Sequence, residues 1–325
     1  MRIFSGIRPT GELHIGNYLG TIKQWAELQQ EHECFFGIMD YHAITTPFSP
    51  KNIRNNIFET LIVYLAAGID PQKATMFVQS SIKEHTELAW ILGTITPLGD
   101  LKRMTQFKEK SKENPEYINA GLLNYPLLMA ADILLYNADA VPVGKDQVQH
   151  IELTREISRR FNKMFGGIFK EPKIILSEGE KIMSLQNPRK KMSKSNDPQG
   201  CIFLFDSPQD IERKIKSAIT DSEKIIKYDP IRKPGISNLL KIYSLFADVP
   251  IKELEVKYKN EGYERLKTDL IKLLVQKLEV FRKRKKDLEK REVYLKEILK
   301  KGKERAEKIA KLRIKEIREK MGLEI

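Results

Sequence analysis

Two lysines three residues apart, Lys191 and Lys194, lie in the run Lys191-Met192-Ser193-Lys194-Ser195, just after Pro188-Arg189-Lys190. Paired cations flanked by hydroxyls on a Gly- and Pro-bounded loop make a clamp suited to a triphosphate, whose leaving pyrophosphate gathers charge in the transition state. A solvated basic loop, the commoner fate of Lys/Arg clusters, would look the same in isolation. A second run is Pro9-Thr10-Gly11-Glu12-Leu13-His14-Ile15-Gly16-Asn17-Tyr18, which follows a short apolar stretch and opens a helical pattern. Gly11 and Gly16 would let the backbone approach a ligand. His14 and Asn17, at i and i+3, can present donors on one side of the turn. It is neither G-x-G-x-x-G nor a G-K-[S/T] P-loop, and alone it also fits an ordinary glycine-containing turn. A third set, Tyr125, Met129 and Asp132, falls at i, i+4 and i+7 on one helix face. That face could line a pocket, or it could be a plain core face with a solvated Asp.

The elements that must position these residues follow from hydrophobic periodicity. Arg2–Ile7, Cys34–Met39, Thr75–Gln79, Ala140–Gly144 and Lys173–Leu176 read as short apolar strands, and 16–30 and 52–67 as helices. Strand–helix alternation of this kind implies a doubly wound, Rossmann-like parallel sheet, α/β in class, with right-handed crossovers. In such a sheet, the turn after the first strand is where phosphates bind. Residues 84–136 switch to successive helices, a helical insertion. The polar stretch 177–200 reads as a mobile functional loop. Beyond Ser207 the pattern is helical, with Ile271, Leu274, Leu278, Phe281, Leu288 and Leu295 at heptad-like spacing that suggests a long hairpin. Gly302 is expected to break it. The expected division is a catalytic domain over 1–200 and a helical domain over 201–325, with a last helix at about 303–321 that could pack back on the sheet.

Composition excludes several classes. The 325 residues include two cysteines, Cys34 and Cys201, so no disulfide framework, four-cysteine zinc site or iron–sulfur cluster is expected. No apolar run approaches the ~18–20 residues of a membrane span, and Met1–Gly6 reads as a strand and not as a signal peptide. A reducing cytoplasm is the expected setting. The net charge of +13 is uneven: from Ile251 onward, 25 Lys/Arg face 15 Asp/Glu. That excess fits a polyanion partner or a solvated Lys/Glu helix face.

The two phosphate-suited runs, in this order and context, resemble the HIGH and KMSKS signatures of class I aminoacyl-tRNA synthetases. Asn17 stands where the second His of HIGH would be, a variant common in the tyrosine and tryptophan branch. Gly144-Lys145-Asp146-Gln147 is similar to the G-x-D-Q element that holds the ATP ribose in that branch. Met104–Lys110 and Pro234-Gly235-Ile236-Ser237-Asn238-Leu239-Leu240 resemble segments of the tryptophanyl members. The helix of Tyr125 resembles the tyrosyl pattern Y-x-x-x-Q-x-x-D with Met129 in place of Gln. The resemblance implies an enzyme that activates tryptophan with ATP and Mg²⁺ and transfers it to tRNA(Trp), acting as a homodimer through the helical insertion. It places Asp132 on the indole N–H, Met129 and Tyr125 around the ring, and Phe4, Gly6, His42 and Gln147 at the same pocket. It places Arg8, Pro9, Thr10, Gly16, Asn17, Gly144, Asp146, Gln147, Met192, Ser193, Lys194 and Ser195 on ATP. Lys191, Lys194, His14, Asn17 and Lys110 would serve catalysis, with Mg²⁺ held mainly by the ATP phosphates and no metal ligated by the protein. Arg8 departs from the Gln of many bacterial members. His32, His85 and His150 read as surface or helix residues. Rival readings are a tyrosyl-tRNA synthetase, a small-metabolite nucleotidylyltransferase and a catalytically inactive synthetase paralogue that binds RNA.

Overall fold

The apolar runs pair as their alternation implies. In a computed structural model, which describes residues 1–113, 115–176, 181–194, 197–223 and 225–324, β1 (Arg2–Ile7), β2 (Glu33–Ile38), β3 (Ala74–Val78), β4 (Ala140–Val143) and β5 (Lys173–Leu176) form one sheet of order β3-β2-β1-β4-β5. Every pairing is parallel, with Phe4 opposite Phe35 and Gly6 opposite Gly37. Five consecutive residues of β2 are buried, as a central strand covered on both faces requires. The order reverses between β1 and β4, and in such sheets ligands bind beyond the strand C-termini at that switch point.

The first crossover runs through α1 (Ile15–Asn17), a π-turn over Tyr18–Ile22 and α2 (Lys23–Leu28). Trp25 of α2 stacks on Phe36 of β2, with ring centroids 4.5 Å apart. Next come α3 (Asp40–Ala43) and α4 (Pro50–Ala66), which starts on a proline whose missing N–H costs nothing at that position. Tyr64 of α4 donates to the Gly37 carbonyl at 3.0 Å. The insertion consists of α5 (Glu84–Ile95), α6 (Leu98–Arg103), α7 (Thr105–Glu113) and α8 (Ala120–Leu135), and α9 (Val148–Phe165) joins β4 to β5. The remainder is α10 (Pro208–Lys216), α11 (Pro234–Ala247), α12 (Ile251–Lys257), α13 (Tyr263–Leu288) and α14 (Glu292–Met321).

The chain divides elsewhere than at residue 200. One compact unit holds Met1–Gly11, Gln24–Ser177 and Arg291–Ile325; the second holds Glu12–Lys23 and Glu178–Lys290. In the first unit, α14 packs on β3 and brings Ala306, Ala310, Ile314 and Ile317 into the same core as Phe77, Leu88 and Leu134. The last helix thus lies against the sheet and begins at Glu292, eleven residues before the start its sequence pattern suggests. The heptad-like stripe is not one hairpin seam either. Leu274, Leu278, Phe281 and Leu288 are buried on α13, which packs with α10 and α11 in the second unit, whereas Leu295 belongs to α14.

Gly302 does not end a helix. It sits inside α14 where a Cβ would lie 1.7 Å from the Met76 carbonyl oxygen of β3. Its missing side chain is what lets the helix axis come down on the strand. Ala is the better helix former by about 1 kcal/mol, but the neighbour here is backbone and cannot yield, and overpacking of this kind costs about 1–3 kcal/mol or more. Gly302→Ala is expected to lower the Tm by several degrees in thermal denaturation, while Lys300→Ala, on the exposed face, leaves it unchanged. A Tm raised by Gly302→Ala would show that helix propensity outweighs the contact.

Candidate active site

The first unit buries a carboxylate. Asp132, on the inner face of α8, is 1% exposed. Its Oδ2 accepts from His42 Nε2 at 2.8 Å, and its Oδ1 accepts from Gln79 Nε2 at 2.7 Å and His85 Nδ1 at 2.6 Å. The donors come from three places: α3 beyond β2, the 3₁₀ turn beyond β3, and the start of α5. Burial pushes the Asp132 carboxyl up, but the hydrogen bonds and proximity of His42 and His85 overcome it and hold the group below its ordinary value. His85 Nε2 lies 2.9 Å from the Tyr136 hydroxyl. Burial raises that phenol well above its usual range, so it stays protonated and donates. His85 is thereby fixed with its proton on Nδ1, facing Asp132.

A second corner forms around Tyr125, one turn before Met129 on α8. Its hydroxyl donates to Gln106 Oε1 at 3.0 Å and is also hydrogen-bonded to His150 Nε2. Lys110 Nζ stands 4.7 Å over the Tyr125 ring, and the His42 ring lies edge-on at 6.2 Å. Gln106 and Lys110, at i and i+4 on α7, thus reach the same tyrosine. Gln106 Nε2 also donates to the Asp146 backbone carbonyl at 3.3 Å, and Gln147 Nε2 donates to Asp146 Oδ2 at 2.9 Å. A Cβ on Gly144 would come 2.7 Å from Asp146 Oδ1, so the carboxylate folds back over the Gly144 backbone. Arg8 is exposed after β1, and its charge acts on Tyr125.

Two of the residues expected at the pocket lie within strand β1. Phe4 is a core residue, stacked on Tyr136 with centroids 5.4 Å apart. Gly6 and Gly37 make room for Met39, whose sulfur would lie 2.6 Å and 2.5 Å from a Cβ at either position. His85 and His150 are not surface residues; they are 0% and 1% exposed and belong to the two corners. The sequence gives no sign of these roles for Gln79, His85 and His150, because a lone His or Gln at a helix start or strand end carries no periodic signal. Only the fold shows which residues face them.

The second unit gathers the cationic residues. The segment 13–15 runs antiparallel to 202–204, with Ile15 N donating to Ile202 O at 2.9 Å and Leu204 N to Leu13 O at 2.9 Å. Asn17 Oδ1 accepts from the His14 backbone N–H at 3.1 Å, closing the turn and leaving the amide NH₂ end as its donor. Gly16 fits because a Cβ would sit 3.0 Å from the His14 ring. Gly11 has φ +110, a conformation that side chains disfavour. Lys194 Nζ donates to Glu12 O at 3.3 Å. Burial, then the charges of Lys194 and Lys191, hold the His14 imidazole down at about 4. Lys191, Lys194, His14 and Asn17 are therefore brought together. Met192 is buried and its N–H bonds Ile182 O at 2.9 Å, so it anchors the loop and does not present its side chain. The described part of the 177–200 stretch is hydrogen-bonded along its length, and Ser195 lies outside the described residues.

A five-stranded 3-2-1-4-5 parallel sheet with a strand–turn–helix His14 segment and a two-lysine loop defines the catalytic fold of class I aminoacyl-tRNA synthetases. Residues 1–279 match the family model described as tRNA synthetases class I (W and Y), and the chain belongs to that family. It is 51% identical to the tryptophan–tRNA ligase of Caldanaerobacter subterraneus subsp. tengcongensis, over 99% of this chain and 98% of that protein. The tryptophanyl-tRNA synthetase structure of Mycoplasma pneumoniae superposes with a TM-score of 0.91 at 36% identity, covering 99% and 98% of the two chains. That of Campylobacter jejuni, complexed with ADP and tryptophan, gives 0.85 at 37% identity, covering 99% and 100%.

Burial also holds His150 at about 4, helped by the charge of Lys110. Both His14 and His150 are thus neutral when folded, against about 6.5 in the unfolded chain. Between those values the unfolded chain binds protons that the folded one refuses, so stability falls as pH drops from about 6.5 to 4, by about 3 kcal/mol per group. Above pH 7 neither contributes any slope. His14→Gln should lose less Tm than the wild type between pH 7 and 4.5, read by calorimetry. An identical slope would place the His14 imidazole in contact with water.

Proposed function

We infer that this chain is a tryptophan–tRNA ligase. It activates L-tryptophan with ATP to tryptophanyl-adenylate and pyrophosphate, then transfers the aminoacyl group to tRNA(Trp). The observation that supports the choice of amino acid is Asp132. An ionised carboxylate is acceptor-only with roughly four lone-pair positions, and three are filled, leaving one on Oδ2. Indole offers a single N–H donor, and the half-buried Met129 one turn away suits an apolar ring face through soft sulfur contact. A glutamine at 129, as in the tyrosyl pattern, would instead present polar groups to a phenol.

In the first step, a tryptophan carboxylate oxygen attacks the α-phosphorus in line, the bond to the β,γ-diphosphate breaks, and pyrophosphate leaves. No side chain becomes acylated or phosphorylated. Lys191 and Lys194 meet the charge that develops on the leaving group, and neutral His14 and the Asn17 amide supply hydrogen bonds without adding charge. We assign Arg8, Pro9, Thr10, Gly16, Ser193, Ser195 and the Met192 backbone to ATP, with Gly144, Asp146 and Gln147 at its ribose. Lys110, His42 and Gln147 are assigned to the amino-acid side with Tyr125; Phe4 and Gly6 shape it from beneath. We assign Mg²⁺ to the ATP phosphates; among the described residues no group of three or more His, Cys, Asp or Glu could hold a metal. In the second step, a terminal ribose hydroxyl of the tRNA attacks the carbonyl and AMP leaves.

The basic helices α13 and α14 are assigned to tRNA. The insertion exposes Trp90 at 78%, Leu98 at 54% and Ile118 at 52%, which supports its role as the surface of a homodimer. Among the described residues no helix is long and apolar enough to cross a membrane, and a tRNA substrate places the enzyme in the cytoplasm.

ATP–pyrophosphate exchange is expected with tryptophan and not with tyrosine; the reverse would overturn the assignment. Asp132→Asn should raise the tryptophan KM about 10–100-fold, the worth of a hydrogen bond to a charged acceptor, and the ATP KM less than twofold. Equal rises would remove Asp132 from the indole. Lys194→Ala should lower kcat for exchange about 10²–10³-fold with little change in the tryptophan KM; an effect confined to tRNA affinity would contradict the loop's role.

A further inference from the structure

The segment 234–240 resembles a family pattern, yet none of its residues enters the chemistry above. Its contacts lead to the lysine loop, within the second unit. Residues 182–184 run antiparallel to 190–192: Met192 N donates to Ile182 O and Ser184 N donates to Lys190 O, both at 2.9 Å, with Met183 facing Lys191 across the bridge. Alternate residues of a strand direct their backbone groups to opposite edges, so Met183 turns its N–H and C=O away from the loop. Among the described residues no strand pairs with that edge. The carboxamide of Asn238 does: its Oδ1 accepts from Met183 N at 2.9 Å and its Nδ2 donates to Met183 O at 2.8 Å. Asn238 is 4% exposed, and its amide supplies donor and acceptor as a neighbouring peptide would.

The same segment fixes where that amide stands. Gly235 admits the Ile219 carbonyl, which would lie 2.1 Å from a Cβ, and Ile219 N donates in turn to Leu185 O at 2.9 Å. Ser237 Oγ accepts from Asp229 N at 2.8 Å. The first turn of α11 is thus docked to residues 183–185 and to its own preceding loop.

We propose that Asn238 is a positioning residue for Lys191 and Lys194: it holds the Met183 strand against which the lysine loop is paired. Without its amide, two backbone groups of Met183 lose their partners, and the strand opposite Lys191 is free to shift. A displacement of about 1 Å in a positioning element can lower a rate about 10²-fold. This inference rests on the reading that Lys191 and Lys194 act on the ATP phosphates.

The test is ATP–pyrophosphate exchange, with rates expressed per titrated active site, for Asn238→Ala, Asn238→Asp and Lys194→Ala. Asn238→Ala is expected to lower kcat about 10–100-fold with the tryptophan KM within twofold of wild type. Asn238→Asp keeps the acceptor for Met183 N–H and loses the donor, so its kcat should fall between Ala and wild type. A merely destabilised protein would show fewer active sites at unchanged kcat per site. If Asn238→Ala does not fold, Asn238→Asp decides by the same measure. A kcat within twofold of wild type in the foldable variants, beside a crippled Lys194→Ala, overturns the inference alone. An unaffected Lys194→Ala overturns the phosphate reading and this inference with it.

Discussion

A buried negative charge sets the terms for the first unit. Removing a carboxylate from water is costly unless donors replace the lost hydration, and Asp132 receives three, from residues 42, 79 and 85. Those donors sit beyond β2, beyond β3 and at the first turn of α5, so satisfying one side chain fixes the ends of two strands against two helices. The chain of bonds continues through His85 to Tyr136, which stacks between Phe4 and Phe35 in the sheet core. A polar site and a hydrophobic core are thereby made interdependent. Changing the aromatic packing moves the phenol, the phenol sets the imidazole, and the imidazole aims the carboxylate.

The second unit solves a different problem. In the proposed role its lysines meet phosphates, which a closed network like that of Asp132 would not allow. The order is supplied underneath them, by backbone pairing: the 13–15 and 202–204 bridge under His14, the 182–184 and 190–192 ladder under Lys191. Buried Met192 and Ser184 anchor that ladder, and Ser184 Oγ accepts from the N–H groups of Gln186 and Asn187 at 3.0 Å. Exposed Lys191 and half-buried Lys194 on a hydrogen-bonded base combine access with aim.

Sequence carried the sheet well, because a strand buried on both faces is written as a continuous apolar run, as in Cys34–Met39. It singled out the His14 turn and the two-lysine loop because their residue types and order are specific. It carried Tyr125, Met129 and Asp132 because helical spacing places them on one face. What it could not carry depended on distant partners. Gly302 looks like a helix breaker until Met76 is seen beneath it. His85 and His150 look incidental until Asp132 and Tyr125 are found beside them. The compact units are not legible in the sequence for a related reason: compactness follows packing, and residues 12–23 group with residues 178–290 although residues 24–177 separate them.

The net charge of +13 divides into two kinds of cation. On α13 and α14 many lysines are spent in exposed pairs with glutamates one turn away, as in Lys283 with Glu279, Lys296 with Glu292 and Lys301 with Glu297, each at 2.7 Å. Such pairs are worth a few tenths of a kcal/mol. They leave the excess of positive charge as a diffuse field, useful for drawing in a polyanion and weak in discriminating one. At His14 the logic is reversed. Burial and two nearby lysines keep the imidazole neutral, so a third positive charge does not form beside Lys194 and Lys191 near neutral pH. The cluster thus avoids a like-charge penalty, and in the proposed role it would offer phosphates two lysine charges and one dipolar donor whose protonation does not change across the physiological range.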